Sequence, residues 1–198
     1  MIKLINVTKK FNENIILDNT SLTINKGMYR LIGQNGSGKS TFMRMVAGLD
    51  RNYSGSINKT ANSILYLTYS PIGMVPFTIK ENIEILCNTY DIKPTETQWD
   101  NVRKFNNDKL DSAYQNSSTG MRAKVGLSLI FLKKWDFILI DETMSSIDNE
   151  SNQMILKELN KYSNESVIIF VSHSDLSPDF IKSANILKMK ERRIEYAK

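Results

Sequence analysis

What the chain has little of sets the first limits. Cysteine occurs once, at Cys87, which rules out an internal disulfide and suits a reducing compartment. Histidine also occurs once, at His173. No apolar run reaches the roughly 18 residues that a membrane-spanning helix needs. The longest stretch, residues 125–140, is interrupted by Lys133, Lys134 and Asp136. The opening Met1-Ile2-Lys3-Leu4-Ile5-Asn6 lacks the long apolar segment of a secretory leader. There is no repeat of solenoid period and no low-complexity tract. Together these absences predict a soluble cytoplasmic protein.

What is present fits that frame. With 198 residues, 41% apolar and 24% charged, the chain has room for one well-cored domain, or a domain plus a small lobe. The net charge of +5 suits nucleic acid or an anionic membrane face, and equally a solvated basic surface. The cations are scattered, apart from a loose group near the end (Lys182, Lys188, Lys190, Arg192, Arg193, Lys198), so charge alone assigns no partner.

Periodicity predicts strands at residues 2–7, 22–24, 28–32 and 64–67, with turns at 12–14, 26–27 and 53–55. Thr78-Ile79-Lys80-Glu81 and Thr95-Glu96-Thr97-Gln98 are capping boxes, each followed by apolar residues at helical spacing. Residues from about 70 to 120 therefore read as a mostly helical insertion. One continuous helix is predicted over 121–133, another over 150–162, and a closing hairpin over 184–189 and 192–196. The runs Phe137–Ile140 and Val167–Val171 are apolar throughout, as buried parallel strands between helical layers are. The fold class is α/β.

The strand at 28–32 runs into Gly33-Gln34-Asn35-Gly36-Ser37-Gly38-Lys39-Ser40, which fits G-x-x-x-x-G-K-[ST], and a helix follows. Glycines let backbone N–H groups turn inward around a phosphate with no Cβ in the way. The helix start adds unpaired N–H donors and partial positive charge. Lys39 is placed to neutralise β- and γ-phosphates, and the Ser40 hydroxyl to ligate Mg²⁺. A nucleoside-triphosphate hydrolase also needs a carboxylate at the end of a neighbouring buried strand. Phe137-Ile138-Leu139-Ile140-Asp141-Glu142 supplies two: Asp141 to hold Mg²⁺, and Glu142 to orient or deprotonate water.

Further segments, in order, carry a resemblance. The chain resembles the nucleotide-binding subunit of ATP-binding cassette (ABC) transporters over nearly its full length. Phe11 stands where that family stacks an aromatic on adenine, and Thr78-Ile79-Lys80-Glu81-Asn82-Ile83 looks like the start of its helical subdomain. Ser117-Ser118-Thr119-Gly120-Met121-Arg122 resembles the signature sequence in a form often seen in exporters. Ser145-Ser146-Ile147-Asp148 resembles the D-loop, and His173 follows its strand as the switch histidine does. By themselves, Ser118 and Asp148 also read as helix caps, and Phe11 as a core or strand-edge aromatic.

The resemblance implies a P-loop NTPase parallel-sheet core with an antiparallel β subdomain and a helical insertion, all within one domain over 1–198. It implies ATP and Mg²⁺ as cofactors. Gly33, Asn35, Gly36, Ser37, Gly38, Lys39, Ser40, Thr41, Phe11 and Asp148 would hold ATP, with Ser118 and Gly120 contributing from a second subunit. Glu142 and His173 would be catalytic, and Ser40 and Asp141 the metal ligands. Two ATP-binding subunits, alike or different, would face head to tail and drive a separate transmembrane permease from the inner face of the cell membrane. No nucleic-acid partner is expected; the rival readings are a degenerate half of an asymmetric pair, and a cassette ATPase acting on ribosomes or nucleic acid. Four departures from the family pattern stand out: Tyr69 for a metal-contacting Gln, Ser117 for Leu, Thr119 for Gly and Thr143 for Pro.

Overall fold

A computed structural model describes residues 1–171 and 184–197. It separates into two compact units: residues 1–66, 136–141 and 163–198, and residues 67–135 and 142–162.

The first unit is built on strands. β1 (Ile2–Phe11) lies between β2 (Asn14–Ile24) and β4 (Ser54–Lys59) in a three-stranded antiparallel sheet. The weak alternation of the N-terminal residues has a cause in the register. Leu4 faces Leu22 but Val7 faces Thr20, so a bulge intervenes, with Asn6 left-handed at φ 49°. Across it the buried set switches from Ile2 and Leu4 to Val7 and Lys9. β1 and β2 are both longer than periodicity alone predicts, and residues 54–59, read partly as a turn, form β4.

A second sheet has the strand order β5-β6-β7-β3-β8-β9, made of β5 (Ile64–Leu67), β6 (Phe137–Asp141), β7 (Val167–Val171), β3 (Gly27–Ile32), β8 (Asn185–Lys190) and β9 (Arg193–Tyr196). β6, β7, β3 and β8 run parallel, and β9 returns antiparallel through Glu191 and Arg192, both left-handed as a tight hairpin turn requires. Every residue of β6 and β7 is buried, which is why these two segments carry no polar alternation. Helix α1 (Lys39–Ala47) contributes Phe42, Met43, Met45 and Val46 to one core with Leu31, Phe137, Leu139 and Ile169.

The second unit is helical. α2 (Ile79–Thr89) and α3 (Glu96–Phe105) both start on complete capping boxes, with Thr78 and Thr95 accepting from the third helical N–H while Glu81 and Gln98 reach back. The helix predicted over 121–133 is in fact two: α4 (Thr119–Leu127) and α5 (Leu129–Leu132). The break centres on Ser128. Ser128 Oγ donates to Lys124 O at 2.7 Å and accepts from Asn106 Nδ2 at 3.0 Å, a back-bonding that bends helices. α6 (Asn149–Tyr162) completes the unit. Among the described residues no helix is long and apolar enough to cross a membrane.

Candidate active site

The loop between β3 and α1 is already shaped for an anion. Gly38 is the residue before the helix, at φ 102°, and it offers no side chain to cap the first N–H groups of α1. A Cβ at Gly38 would lie 2.3 Å from Ile16 Cγ2, so both backbone angle and space demand glycine. Lys39 is 7% exposed, and its ammonium bends back to donate to Gly33 O at 2.9 Å and Gln34 O at 3.1 Å. Ser37 Oγ is buried and makes no hydrogen bond among the described residues, an arrangement that normally costs on the order of 1–3 kcal/mol unless a ligand completes it. Ser40 is exposed and Thr41 half-buried in the first turn. A cleft of about 570 Å³ opens beside the loop, between Ile15 and Ile16 of β2 and the Met189–Arg192 turn.

Asp141 ends β6 and is buried. β6 is not the immediate neighbour of the loop strand, because β7 lies between them. Asp141 pairs with Val171, and Arg30 pairs with Phe170 one step earlier, so the carboxylate stands in one row with Val171 and Leu31. Two strand spacings make that about 10 Å between the Asp141 and Leu31 backbones. Tyr66 Oη donates to Asp141 Oδ2 at 3.4 Å, and burial, reinforced by the carboxylate's charge, pushes the phenol up to about 12. Sequence reading did not single out Tyr66. The alternation of β5, with Leu65 and Leu67 buried and Ile64 and Tyr66 half-buried, is the signal that places it on the other face.

Phe11 closes β1, paired with Asn14 across the hairpin, and is 50% exposed. Lys9 Nζ stands 4.4 Å from its ring centroid, a cation–π contact. Phe11 does not line the cleft beside the loop. Asn35 is exposed within the loop. His173 lies outside the described residues.

In the second unit, Glu142 is left-handed at φ 61°, a conformation that non-glycine residues hold at a cost and often at functional sites. Thr143, at the Pro position of the family pattern, donates through Oγ1 to Thr68 O at 2.9 Å, a bond that proline cannot make. Tyr69, adjacent, is 61% exposed. Ser118 caps α4 by accepting from the Met121 N–H at 3.2 Å. Asp148 caps α6, accepting from Ser151 N–H and Oγ, each at 2.8 Å. Both cap readings therefore hold. These same residues, with Gly120, line a recess of about 550 Å³. The buried polar partner at that recess, Lys124, was not read from the sequence, where it falls unremarked inside an apolar helix.

Known proteins can now be set beside this geometry. The family profile described as "ABC transporter" matches residues 17–145, more than half of the chain. The ATP-binding protein BexA of Haemophilus influenzae is 30% identical over 194 residues, covering 92% of this chain and 86% of that protein. The macrolide export ATP-binding/permease protein MacB of Campylobacter jejuni is 29% identical over 198 residues, covering 87% of this chain but only 30% of its own greater length. A dimeric ATP-binding cassette solved in a post-hydrolysis state with ADP and Pi superimposes with a TM-score of 0.76 at 21% identity, over 100% of this chain and 98% of that one. That likeness confirms the α/β cassette fold. The chain belongs to the ABC transporter family, as one of its ATP-binding, ATP-hydrolysing domains.

Proposed function

We propose that the chain powers a transporter by binding ATP at the Gly33–Thr41 loop, closing head to tail on a second cassette, and hydrolysing the γ-phosphate bond. The observation that carries this is the loop itself. A buried ammonium, an unmade buried hydroxyl bond and an uncapped helix start converge where a triphosphate's charge would lie. Lys39 exchanges its two carbonyl acceptors for phosphate oxygens, a stronger charge-assisted pairing. Gly36, Ser37, Gly38 and Thr41 contribute backbone or hydroxyl donors along the phosphates, and the half-exposed ring of Phe11 receives the adenine. Ser40 and the buried Asp141 fit a divalent cation, since one is an exposed hydroxyl at the helix start and the other an acceptor-only carboxylate. Bound there, Mg²⁺ supplies charge neutralisation to the phosphates. Glu142 orients and deprotonates the attacking water, and His173 contacts the γ-phosphate.

The recess of Ser118, Gly120 and Asp148 would serve the nucleotide of the partner cassette. Two solved structures of the same fold are dimeric cassettes, one of them with ADP and Pi bound. The transmembrane partner is a separate permease, of the kind that MacB joins to its ATP-binding part in one longer chain. Export is the favoured direction, on the Ser-Thr-Gly-Met form of the signature and the similarity to MacB. Such a chain works at the inner face of the membrane.

Purified chain should hydrolyse ATP, and faster when its co-purifying membrane protein is present. Glu142→Gln should abolish hydrolysis and leave ATP binding intact. Binding without hydrolysis in the wild-type chain, alone and with the membrane partner, would instead favour a degenerate half-site, for which Tyr69 and Thr119 are the sequence grounds.

A further inference from the structure

The second unit holds a buried cation that the proposed chemistry does not use. The Lys124 side chain is 7% exposed. An ammonium leaves water only where partners replace its hydration. Here the partners come from two segments, the end of α3 with its following turn and the loop before α6. Nζ donates to Asn107 Oδ1 at 3.1 Å, lies 3.1 Å from Asp148 Oδ2, and stands 5.3 Å from the centroid of the Phe105 ring.

Each segment is itself constrained. Asn107 and Asp108 are consecutive left-handed residues, at φ 53° and 56°, in the turn after α3. Such a pair persists only where its surroundings impose it. Asp148 Oδ1 accepts from the Ser151 N–H at the α6 cap, while Oδ2 takes both the Ser151 hydroxyl and the Lys124 ammonium. Partial burial pushes its carboxyl up, but the bonds from Ser151 and Lys124 outweigh that and hold it at about 2. The chain carrying Asp148 also presses on α4 directly: a Cβ on Gly120 would meet Ser146 O at 2.7 Å.

We propose that Lys124 is a positioning residue, whose ammonium fastens the 145–148 loop and the 106–108 turn to α4, so that Ser118, Gly120 and Asp148 form one preformed surface for the partner's nucleotide. This rests on the head-to-tail reading above. The role is separable from folding. Asp148 is 53% exposed, so water can solvate its carboxylate once the ammonium is gone. An unbranched apolar side chain can fill the Lys124 channel over Phe105.

The test uses the full chain carrying Glu142→Gln, so that ATP is bound but not consumed. Dimer formation against ATP concentration is followed by light scattering, ATP affinity of dilute monomer by a fluorescent ATP analogue, and the 145–148 amides by hydrogen exchange. Adding Lys124→Met should raise the ATP needed for half-dimerisation about tenfold and speed exchange of those amides, with monomer affinity changed by less than about twofold. Lys124→Arg should restore both, because a guanidinium reaches the same carboxylate. Lys124→Gln, which keeps a donor for Asn107, should behave like Lys124→Met and guards against a fold defect in the latter. Unchanged dimerisation and unchanged exchange in both variants would overturn the proposal. Should the Glu142→Gln chain itself stay monomeric with ATP, the head-to-tail reading fails, while unchanged exchange alone would still refute Lys124 as the fastening.

Discussion

Two ammonium groups taken out of water show how differently residues declare themselves. Lys39 was legible at once, because the spacing G-x-x-x-x-G-K-S leaves few other uses for it. In the structure it is satisfied by the carbonyls of Gly33 and Gln34, so it waits on neutral acceptors. Lys39→Ala should therefore leave the fold intact and weaken ATP binding about tenfold to a hundredfold, the loss expected for a charge-assisted contact, as titration calorimetry would register. Lys9 was invisible as a buried residue, because the alternation that would have placed it inside begins only after the bulge near Asn6. Its side chain is 2% exposed and pairs with Asp50 at 2.8 Å, also donating to Asn52 O at 2.7 Å. Lys9→Met should destabilise the chain by about 3 kcal/mol in urea titration, because Asp50 is left largely buried without its partner. The pairing has a pH signature as well. The hydrogen bond from Lys9 holds the Asp50 carboxyl below its ordinary value. Its folded pKa being the lower one, the stabilisation is present above the ordinary carboxylate range and is lost as pH falls through the depressed value, so acid unfolding of Lys9→Met should be less steep than that of wild type.

At the scale of elements, strong local grammar was readable and tertiary corrections were not. Both capping boxes formed as read, since Thr78 with Glu81 and Thr95 with Gln98 need nothing beyond four residues. β6 and β7 followed from unbroken apolar runs. The break at Ser128 did not, because it depends on Asn106, twenty-two positions away. Nor did the order of the large sheet, in which β7 separates the two phosphate-site strands. The join between β3 and α1 is where element and chemistry meet. Gly38→Ala places a methyl against Ile16 in a backbone conformation that alanine resists, so the loop must shift. We expect it to lower both thermal stability and ATP affinity, whereas Gly120→Ala, crowding Ser146 O, should spare monomer binding and impair dimerisation. Equal losses in both assays for both variants would contradict this division.

For the whole molecule, the ordered motifs read from the sequence survive as places in two compact units. Phe11, the 33–41 loop and Asp141 belong to the first, and Glu142, Ser118, Gly120 and Asp148 to the second. Sequence order alone could not reveal this, because adjacent residues Asp141 and Glu142 fall on either side of the division. Neither could it reveal that Thr143, a departure from the family pattern, ties its turn to the Thr68 carbonyl just before Tyr69. Under the proposed function these parts share one purpose, a composite site needing two chains. The most direct measurement is light scattering of the Glu142→Gln chain with and without ATP. A doubling of mass that appears with ATP and disappears on its removal is predicted. A chain that binds ATP yet remains monomeric at every nucleotide concentration would contradict the head-to-tail site.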